Sequence, residues 1–303
     1  HLPYLLSPRG LARYQIVALC NSSTAAARAA ISAFNLPSET RAYGSPADLA
    51  ADADVELVIC CTRVDVHHET VRPSLAAGKM VYCEWPLAQD LEHVRDLAQL
   101  AREKQVRTMV AVQGRVAPSV KKLRELLEHG RIGKVVSAEV RAAGGLNDRE
   151  ILPKNLEYFT KREVGGNVFT IGFGHLPNSK IRDPETNIVK TVQSDVPDLI
   201  IVTSSLEESA IAQKEATLLV RFRRGQPSFD EPALVWNIIG EKGEIRLTNS
   251  TGTGMHATGD TASVRARGAG FRDEQVGGVA GGLALDALKR HEQLDGMLAA
   301  WTA

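Results

Sequence analysis

Short apolar runs alternate with helical patterns through residues 1–115 of the chain. The run Val55–Thr62 is nearly continuous in apolar residues, as expected of a sheet strand that is buried on both faces. Together these patterns predict a parallel sheet wrapped by helices, which is half of a doubly wound fold. The other predicted strands are Tyr14–Cys20, Met80–Glu84 and Thr108–Gln113, and the predicted helices are Ser23–Phe34, His67–Ala77 closed by Gly78, and Leu91–Lys104.

The pattern changes after Arg115, which divides the chain into predicted domains 1–115 and 116–303. Two-residue alternation and turn signals in the second part predict a largely antiparallel sheet. The sequence also predicts a loop over Thr248–Gly282, because this segment is rich in Gly, Thr and Ala. The predicted strands are Val135–Ala142, Leu199–Ser205, Ala216–Phe222, Leu234–Ile239 and Glu244–Leu247, and the predicted helices are Ser119–His129 and a C-terminal helix over Leu283–Trp301.

Composition and charge narrow the class of protein. The 36 Lys and Arg residues balance 36 Asp and Glu residues, which argues against a surface built to cover nucleic acid or anionic lipid. No apolar run approaches the length of a membrane span, and the first residues lack the pattern of a signal peptide. We therefore expect a cytoplasmic protein with no direct nucleic-acid or membrane partner.

The four cysteines fall inside apolar segments, and none forms a C-x-x-C pair. They are predicted to be buried thiols, so no metal site is expected.

The start of a doubly wound fold is the element that the pattern does not supply. Such a fold normally opens with a strand and a Gly-rich turn that binds pyrophosphate at a helix N-terminus. The chain begins instead in what looks like the first helix, followed closely by the second strand. We expect that the first strand and its turn have been lost from the beginning of this sequence, which leaves a gap in the sheet. The alternative is a protein that lacks the phosphate-binding turn altogether.

Asn21, Ser22 and Ser23 end the strand where a carboxylate would otherwise accept hydrogen bonds from a ribose diol. Neutral groups there remove repulsion against a 2′-phosphate, so both NAD and NADP are allowed. The alternative is that a serine caps the following helix, a role that serine suits equally well. The two roles are compatible, and the sequence leaves both open.

Five motifs together resemble the Gfo/Idh/MocA family, named for glucose-fructose oxidoreductase and inositol dehydrogenase. They are Cys61–His67, Leu75–Lys79, Cys83–Ala88, Gln113–Arg115 and Gly130–Gly133. The resemblance implies a Rossmann-type domain that binds NAD or NADP, followed by an antiparallel-sheet domain whose open face mediates oligomerisation. We accordingly expect a homodimer. The resemblance, and the location of these residues at the carboxyl ends of the predicted parallel strands, together predict which residues line the cofactor. They are Asn21, Ser22, Thr62, Arg63, His67, Glu84, Trp85 and Gln113.

The catalytic groups of the family are only partly present. Its members carry Glu-Lys-Pro at the fifth strand, and Trp85 stands here in place of the lysine. An indole has one N–H donor and cannot shuttle protons. The family's D-x-x-x-H pattern aligns His175 with its histidine and Ile171, or Thr170 in a shifted register, with its acid. His175 is therefore the candidate proton carrier, with a packed histidine as the alternative.

Two further residues complete the predicted site. Trp85 would shape the pocket by stacking, and Tyr158 could bond the substrate or simply pack.

Several of these features are similar to the fungal branch of the family that includes the yeast galactose-pathway co-repressor. In that comparison a helix and a strand have no counterpart between His175 and Leu176. The leading hypothesis is hydride transfer to or from a sugar-like or secondary-metabolite carbonyl or alcohol. One alternative is a non-catalytic, dinucleotide-binding co-regulator with a protein partner, which could also act in the nucleus. The other is a non-redox catalyst of cyclisation or elimination in the same cleft.

Overall fold

The computed structural model describes residues 1–144, 151–164, 178–197, 199–225, 227, 229–250, 252, 262–268, 271–276 and 298–302. These residues form two compact units, which divide between Val112 and Gln113. The first unit holds residues 1–112, 163–164 and 298–302, and the second holds the others. Among the described residues, no helix is both long enough and apolar enough to span a membrane.

The regular elements are numbered in chain order. The helices are α1 Leu2–Leu5, α2 Pro8–Leu11, α3 Thr24–Ala33, α4 Pro46–Ala51, α5 His67–Ala76, α6 Leu91–Glu103 and α7 Pro118–Glu128. The strands are β1 Ile16–Cys20, β2 Arg41–Tyr43, β3 Leu57–Cys61, β4 Met80–Glu84, β5 Thr108–Ala111, β6 Val135–Gly144, β7 Ile151–Pro153, β8 Asn178–Arg182, β9 Ile188–Gln193, β10 Leu199–Leu206, β11 Ala212–Arg224, β12 Leu234–Gly240, β13 Gly243–Asn249, β14 Ala262–Gly268, β15 Phe271–Val276 and β16 Leu298–Thr302. Short 3₁₀ helices cover Val64–Val66, Gln113–Val116, Lys154–Thr160 and Arg162–Val164.

The first unit is built on a six-stranded parallel sheet in the order β2-β1-β16-β3-β4-β5. Alternate residues of β3 and β4 face opposite layers, because side chains along a strand alternate between its two faces. Val58 and Val81 pack with Val71 and Leu75 of α5. Leu57 belongs instead to the cluster that includes buried residues of α1 and α3. Both faces of the sheet are therefore covered, as the apolar strand sequences predicted.

Strand β16 corrects one expectation about the end of the chain. The sequence predicted a helix over Leu283–Trp301, but residues 298–302 form a strand that pairs in parallel with β1 and β3. Residues 283–297 lie outside the described part of the chain. The expected gap at the centre of the parallel sheet is thus filled by a strand from the far end of the sequence. Pairing of β16 satisfies backbone groups of β1 and β3 that a gap would leave without partners.

The second unit contains a seven-stranded sheet in the order β10-β11-β6-β12-β13-β14-β15. All of its neighbours are antiparallel except β6 and β11. Leu123 and Leu126 of α7 pack with Ile238 and Ile245 on one face. Strands β7, β8 and β9 form a separate three-stranded sheet. The predicted architecture is confirmed, but the predicted loop over Thr248–Gly282 is wrong where β14 and β15 form a hairpin.

Candidate functional site

The carboxyl ends of β1, β3 and β4 lie at one edge of the parallel sheet, which we call the carboxyl edge. In register, Cys60 of β3 pairs with Cys83 of β4, and both Cys20 of β1 and Cys60 pair with the same residue of β16. Asn21, Thr62 and Trp85 therefore leave their strands at the same edge. The structure thus brings together most of the site residues predicted in the first unit. Open parallel sheets bind ligands at this edge.

Asn21–Ser23 combine turn and capping functions after β1. The Asn21 side-chain oxygen accepts a hydrogen bond from the Ser22 backbone N–H over 2.7 Å. Ser23 Oγ accepts from the Ala26 backbone N–H over 3.1 Å and begins α3, so the predicted serine cap is confirmed at this residue. Ser22 is exposed beside it. The capping role thus leaves Ser22 as the hydroxyl available at this strand end for a ligand.

Thr62 and Arg63 follow β3, but their side chains differ in what they contact. Thr62 Oγ1 lies 3.4 Å from Cys60 Sγ and donates to the Arg63 carbonyl oxygen over 3.5 Å. The Arg63 guanidinium is paired with the Asp65 carboxylate, and its Nε donates over 3.0 Å. The exposed Arg63 charge is therefore offset within its own turn.

His67 lies beneath the carboxyl edge and joins the ends of β3 and β4. Its Nε2 lies 2.8 Å from the Thr62 carbonyl oxygen, and its Nδ1 lies 2.8 Å from the Pro86 carbonyl oxygen. Only 1% of the residue is exposed. His67 was predicted to line the cofactor. Its buried ring instead positions the two backbone turns that carry Thr62 and Trp85.

Glu84 and Trp85 occupy the end of β4. Glu84 Oε1 lies 2.6 Å from His1 Nε2, and burial raises the pKa of the Glu84 carboxyl above its ordinary value. Trp85 is 52% exposed and joins Pro86 through a cis peptide bond. The edge therefore presents a carboxyl group and an indole surface side by side. The His1–Glu84 pair had no signal in the sequence, because 83 positions separate its members.

Two cysteines next to this edge were missed as a cluster. Cys60 and Cys83 are buried as predicted, but strand register places them side by side, and His67 joins them. The two cysteine sulfurs and a ring nitrogen of His67 all lie within 4.8 Å of one another. The signal available in the sequence was the position of each cysteine one residue before the end of its strand.

The remaining predicted residues belong to the second unit or fall outside the description. Tyr158 lies half-buried in a 3₁₀ helix, with its ring edge-on to Phe159 at a centroid distance of 4.5 Å. Gln113 begins the 3₁₀ helix that follows β5. His175, Ile171 and Thr170 lie outside the described residues. Their predicted roles stay predictions.

The donor set at the carboxyl edge fits part of a dinucleotide. Asn21 and Ser22 offer amide and hydroxyl groups, Thr62 offers a hydroxyl group, and Glu84 offers a carboxyl group. Such groups hydrogen-bond ribose hydroxyls. A Gly-rich turn for pyrophosphate is not among the described residues of the first unit. The fit therefore concerns the ribose portion.

Two family models match the chain. One, described as the oxidoreductase family with an NAD-binding Rossmann fold, matches residues 1–112. The other, described as the C-terminal domain of Gal80p, matches residues 118–182. The two matched regions agree with the division of the chain into two compact units.

Similar proteins include both enzymes and a regulator. Dehydrogenase aclE of Aspergillus oryzae is 30% identical over 257 residues, covering 78% of this chain and 68% of that protein. The galactose/lactose metabolism regulatory protein GAL80 of Saccharomyces cerevisiae is 24% identical over 283 residues, covering 83% of this chain and 63% of the regulator. The chain thus spans less than two thirds of the regulator's length.

The fold comparison agrees with these sequence matches. A crystal structure of a super-repressor mutant of Gal80p from S. cerevisiae superposes with a TM-score of 0.79 at 22% identity, covering 91% of this chain and 76% of that one. At this identity the likeness concerns the fold. The match of residues 1–112 to the NAD-binding family model and the match to the A. oryzae dehydrogenase show that the chain belongs to the Gfo/Idh/MocA oxidoreductase family, whose first domain is an NAD-binding Rossmann fold.

Proposed function

We propose that the protein is an NAD(P)-dependent dehydrogenase that acts on a hydroxyl or carbonyl group of a sugar-like or secondary-metabolite substrate. The observation that carries this proposal is the carboxyl edge, where Thr62, Glu84 and Trp85 leave adjacent parallel strands of the NAD-binding domain. The 30% identity to a fungal dehydrogenase over most of the chain supports the same activity.

Each residue of the edge has a proposed role. The Thr62 hydroxyl and the Asn21 and Ser22 groups bind ribose hydroxyls, and Glu84 accepts a hydrogen bond from a ribose or substrate hydroxyl. His67 keeps the Thr62 and Trp85 turns in place through its two carbonyl contacts. The nicotinamide, when bound, supplies or accepts the hydride.

Proton transfer needs a second group, because the Trp85 indole has no accessible protonation equilibrium. His175 is proposed to give or take the proton at the substrate oxygen, and Tyr158 to bind the substrate. The half-exposed indole of Trp85 offers an apolar face on which the C–H face of a sugar ring can stack. This arrangement favours a polyhydroxylated or ring-containing substrate over a small acid.

A second candidate is a dinucleotide-binding co-regulator that performs no chemistry. Trp85 in place of the family's lysine favours it, because binding a dinucleotide needs no proton carrier whereas hydride transfer from an alcohol does. The match of residues 118–182 to the C-terminal domain of Gal80p points the same way. In this case a protein partner would bind the loaded form, in the cytoplasm or the nucleus.

The second unit supports a homodimer in either case. Ile201, Leu219 and Ile239 are exposed, and strand register places them on the sheet face opposite α7. Apolar side chains exposed on one sheet face can be buried between two copies of a chain. Light scattering of the purified chain tests this, and a charge at Ile201, as in Ile201→Glu, should shift the mass toward that of one chain. A mass of one chain for the unaltered protein would overturn the dimer.

The test of function begins with the purified chain and its bound ligand. Mass spectrometry of released small molecules identifies NAD or NADP, and fluorescence quenching measures the dissociation constant of added cofactor. Absorbance at the nicotinamide band then follows a single turnover with a panel of polyols and carbonyls. Thr62→Val, which removes only a hydroxyl, should weaken cofactor binding by about tenfold. Thr108→Val, at the amino end of β5, is the matched control and should leave it unchanged.

The outcomes separate the candidates. Cofactor that changes redox state with a substrate supports the dehydrogenase, and His175→Ala should then lower the rate by about a hundredfold. Cofactor that binds but never changes redox state overturns hydride transfer and favours the co-regulator. If a substrate is nevertheless converted without a redox change of the cofactor, the result favours a non-redox catalyst. Absence of binding overturns both dinucleotide proposals.

A further inference from the structure

Cys60 and Cys83 form a buried cluster with His67, and neither thiol has a proposed role at the carboxyl edge. Cys60 and Cys83 are directly paired residues of the neighbouring strands β3 and β4. Their sulfurs and a ring nitrogen of His67 lie within 4.8 Å of one another. Cys60 has no exposed surface, and Cys83 is 1% exposed. The cluster therefore brings two thiols and an imidazole together in a site shielded from water.

His67 is the third member of the cluster. Both ring nitrogens lie 2.8 Å from backbone carbonyl oxygens, those of Thr62 and Pro86. Its Nδ1 also lies 3.5 Å from Cys83 Sγ. These contacts hold the imidazole against the two thiols, where it favours ionisation of Cys60.

The contacts within the cluster favour a thiolate on Cys60. The Cys83 thiol donates a hydrogen bond to the Cys60 sulfur, and Thr62 Oγ1 lies 3.4 Å from the same atom. These hydrogen bonds and the electrostatic effect of His67 outweigh burial and lower the pKa of Cys60 below its ordinary value. The shared hydrogen bond and burial raise the pKa of Cys83. The pair is thus one thiolate and one thiol, which is the combination that thiol oxidation uses.

Strand geometry permits a bond between the two sulfurs. Neighbouring strands lie about 4.8 Å apart, which falls within the Cα separation that disulfides span, roughly 4.4–6.8 Å. Side chains of directly paired residues in parallel strands point to the same face of the sheet. Rotation about the side-chain bonds of Cys60 and Cys83 can therefore bring the sulfurs together without moving the strands.

We propose that Cys60 and Cys83 form a reversible disulfide, in which peroxide oxidises Cys60 and Cys83 resolves the product. The Cys60 thiolate attacks one oxygen of hydrogen peroxide, and the O–O bond breaks. Hydroxide is the leaving group, and Cys60 then carries a sulfenic acid. The Cys83 sulfur then attacks the Cys60 sulfur, the S–O bond breaks, and the hydroxyl group leaves with the Cys83 proton as water. Two electrons pass from the thiols to the peroxide, and an added dithiol reverses the change.

The neighbouring Cys61 provides an internal comparison. It is more exposed than Cys60, yet burial and the charges of Glu84 and Cys60 raise the pKa of Cys61 to about 12. Cys61 is therefore a thiol at neutral pH and a poor nucleophile. Cys60 and Cys83 react only when the strand ends open locally, so their oxidation should be slower than that of an exposed thiolate.

The experiment uses the full chain, reduced and then freed of reductant. Hydrogen peroxide is added, free thiols are blocked under denaturing conditions, and tryptic peptides are analysed without reduction. Cleavage after Arg and Lys places Cys60 and Cys61 in peptide 42–63, Cys83 in peptide 80–95 and Cys20 in peptide 14–28. We expect a linked pair of peptides 42–63 and 80–95 that disappears after treatment with dithiothreitol.

Variants assign the link to specific sulfurs. Cys61→Ser and Cys20→Ser should retain the link within about twofold, whereas Cys60→Ser and Cys83→Ser should abolish it. His67→Gln should slow its formation by at least about tenfold, since His67 is one of the groups that lower the pKa of Cys60 and so raise its thiolate fraction. Circular dichroism of each variant confirms that it is folded. If Cys60→Ser or Cys83→Ser does not fold, the Cys61→Ser and Cys20→Ser chains still show which cysteines form the link.

Three results would overturn the proposal. One is a link that Cys61→Ser removes, and another is a Cys60–Cys61 bond within peptide 42–63. The third is a folded chain whose Cys60 and Cys83 remain unoxidised until it is unfolded. This includes a chain whose two thiols are protected from peroxide because they bind one equivalent of zinc. The proposal concerns the thiols alone and does not depend on whether the carboxyl edge binds a dinucleotide.

Discussion

Tyr43 donates its hydroxyl hydrogen to the Asp52 carboxylate over 2.9 Å and so ties the end of β2 to the residue that ends α4. Arg41 Nε donates to the same carboxylate over 2.7 Å, and the Asp54 backbone N–H donates over 3.0 Å. Burial opposes ionisation of Asp52, but the three donors outweigh it and lower the pKa of the carboxyl. The outer edge of the parallel sheet therefore depends on one ionised side chain.

Asp52 should make folding stability sensitive to acid. Its pKa is lower in the folded state than the ordinary value of about 3.9, so its contribution is complete above that value and is lost as pH falls through the lower, folded value. Asp52→Ala should lower the free energy of unfolding at pH 7 by roughly 2 kcal/mol, because it leaves three donors without their acceptor. Urea denaturation at pH 7 and at pH 3 measures both effects.

The control for Asp52 is its neighbour Asp54, whose exposed side chain contacts Arg41 Nη1 over 3.0 Å. Asp54→Ala should change stability by less than about 0.5 kcal/mol at pH 7. Equal losses from the two substitutions would show that the charge on Arg41, and not the buried network, is what matters.

His67 should be needed for stability and for the shape of the carboxyl edge. His67→Ala removes both contacts to the Thr62 and Pro86 carbonyl oxygens and leaves a cavity, so we expect a loss of about 3 kcal/mol. His93→Ala is the matched control, because His93 lies on the surface of α6 and pairs with Asp90. It should cost less than about 1 kcal/mol. Thermal unfolding of the two variants compares them, and similar losses would contradict the bridging role.

Two glycines test how closely the backbone packs. A Cβ on Gly240 would lie 2.3 Å from the carbonyl oxygen of Ile132, which accepts a hydrogen bond from the Lys242 N–H over 2.8 Å. Gly240→Ala should therefore cost about 2–3 kcal/mol, because that fixed carbonyl must move.

Gly78 has a φ of +78° and open space around it. Gly78→Ala should cost about 1–2 kcal/mol from backbone strain alone, and Gly78→Asn should cost less. Chemical denaturation measures each value, and a harmless Gly240→Ala would contradict the predicted clash.

Local sequence patterns predicted the parts of the fold that depend on local physics. The apolar run that became β3 and the helix that Gly78 ends were predictable, since burial on two faces and a left-handed helix end each have a residue signature. The central position of β16 was not, because it depends on pairing between residues 16–20 and 298–302. Composition likewise hid the β14–β15 hairpin, since Gly, Thr and Ala are common in loops and the hairpin is stabilised by pairing of β14 with β13.

The candidate site was predictable to the same extent. Position at a strand end identified Thr62, Glu84 and Trp85, because the ends of parallel strands meet at one edge. The same reasoning gave no orientation for the His67 ring, which contacts the carbonyl oxygens of Thr62 and Pro86. The Cys60–Cys83 pair needed strand register, and the His1–Glu84 contact needed the tertiary fold.

Restoring the family's lysine at Trp85 tests whether this position limits the chemistry. Trp85 is half exposed, so Trp85→Lys should fold normally and place an ammonium group next to Glu84. If the protein is a dehydrogenase that lacks one proton carrier, turnover should rise by about a hundredfold with cofactor affinity nearly unchanged. Trp85→Met, which is apolar and has no ionisable group, is the matched control and should not raise turnover. Steady-state absorbance at the nicotinamide band, with cofactor binding measured separately, checks both. A Trp85→Lys chain that binds cofactor as before and turns over no faster would show that the lysine's absence is not what limits hydride transfer here.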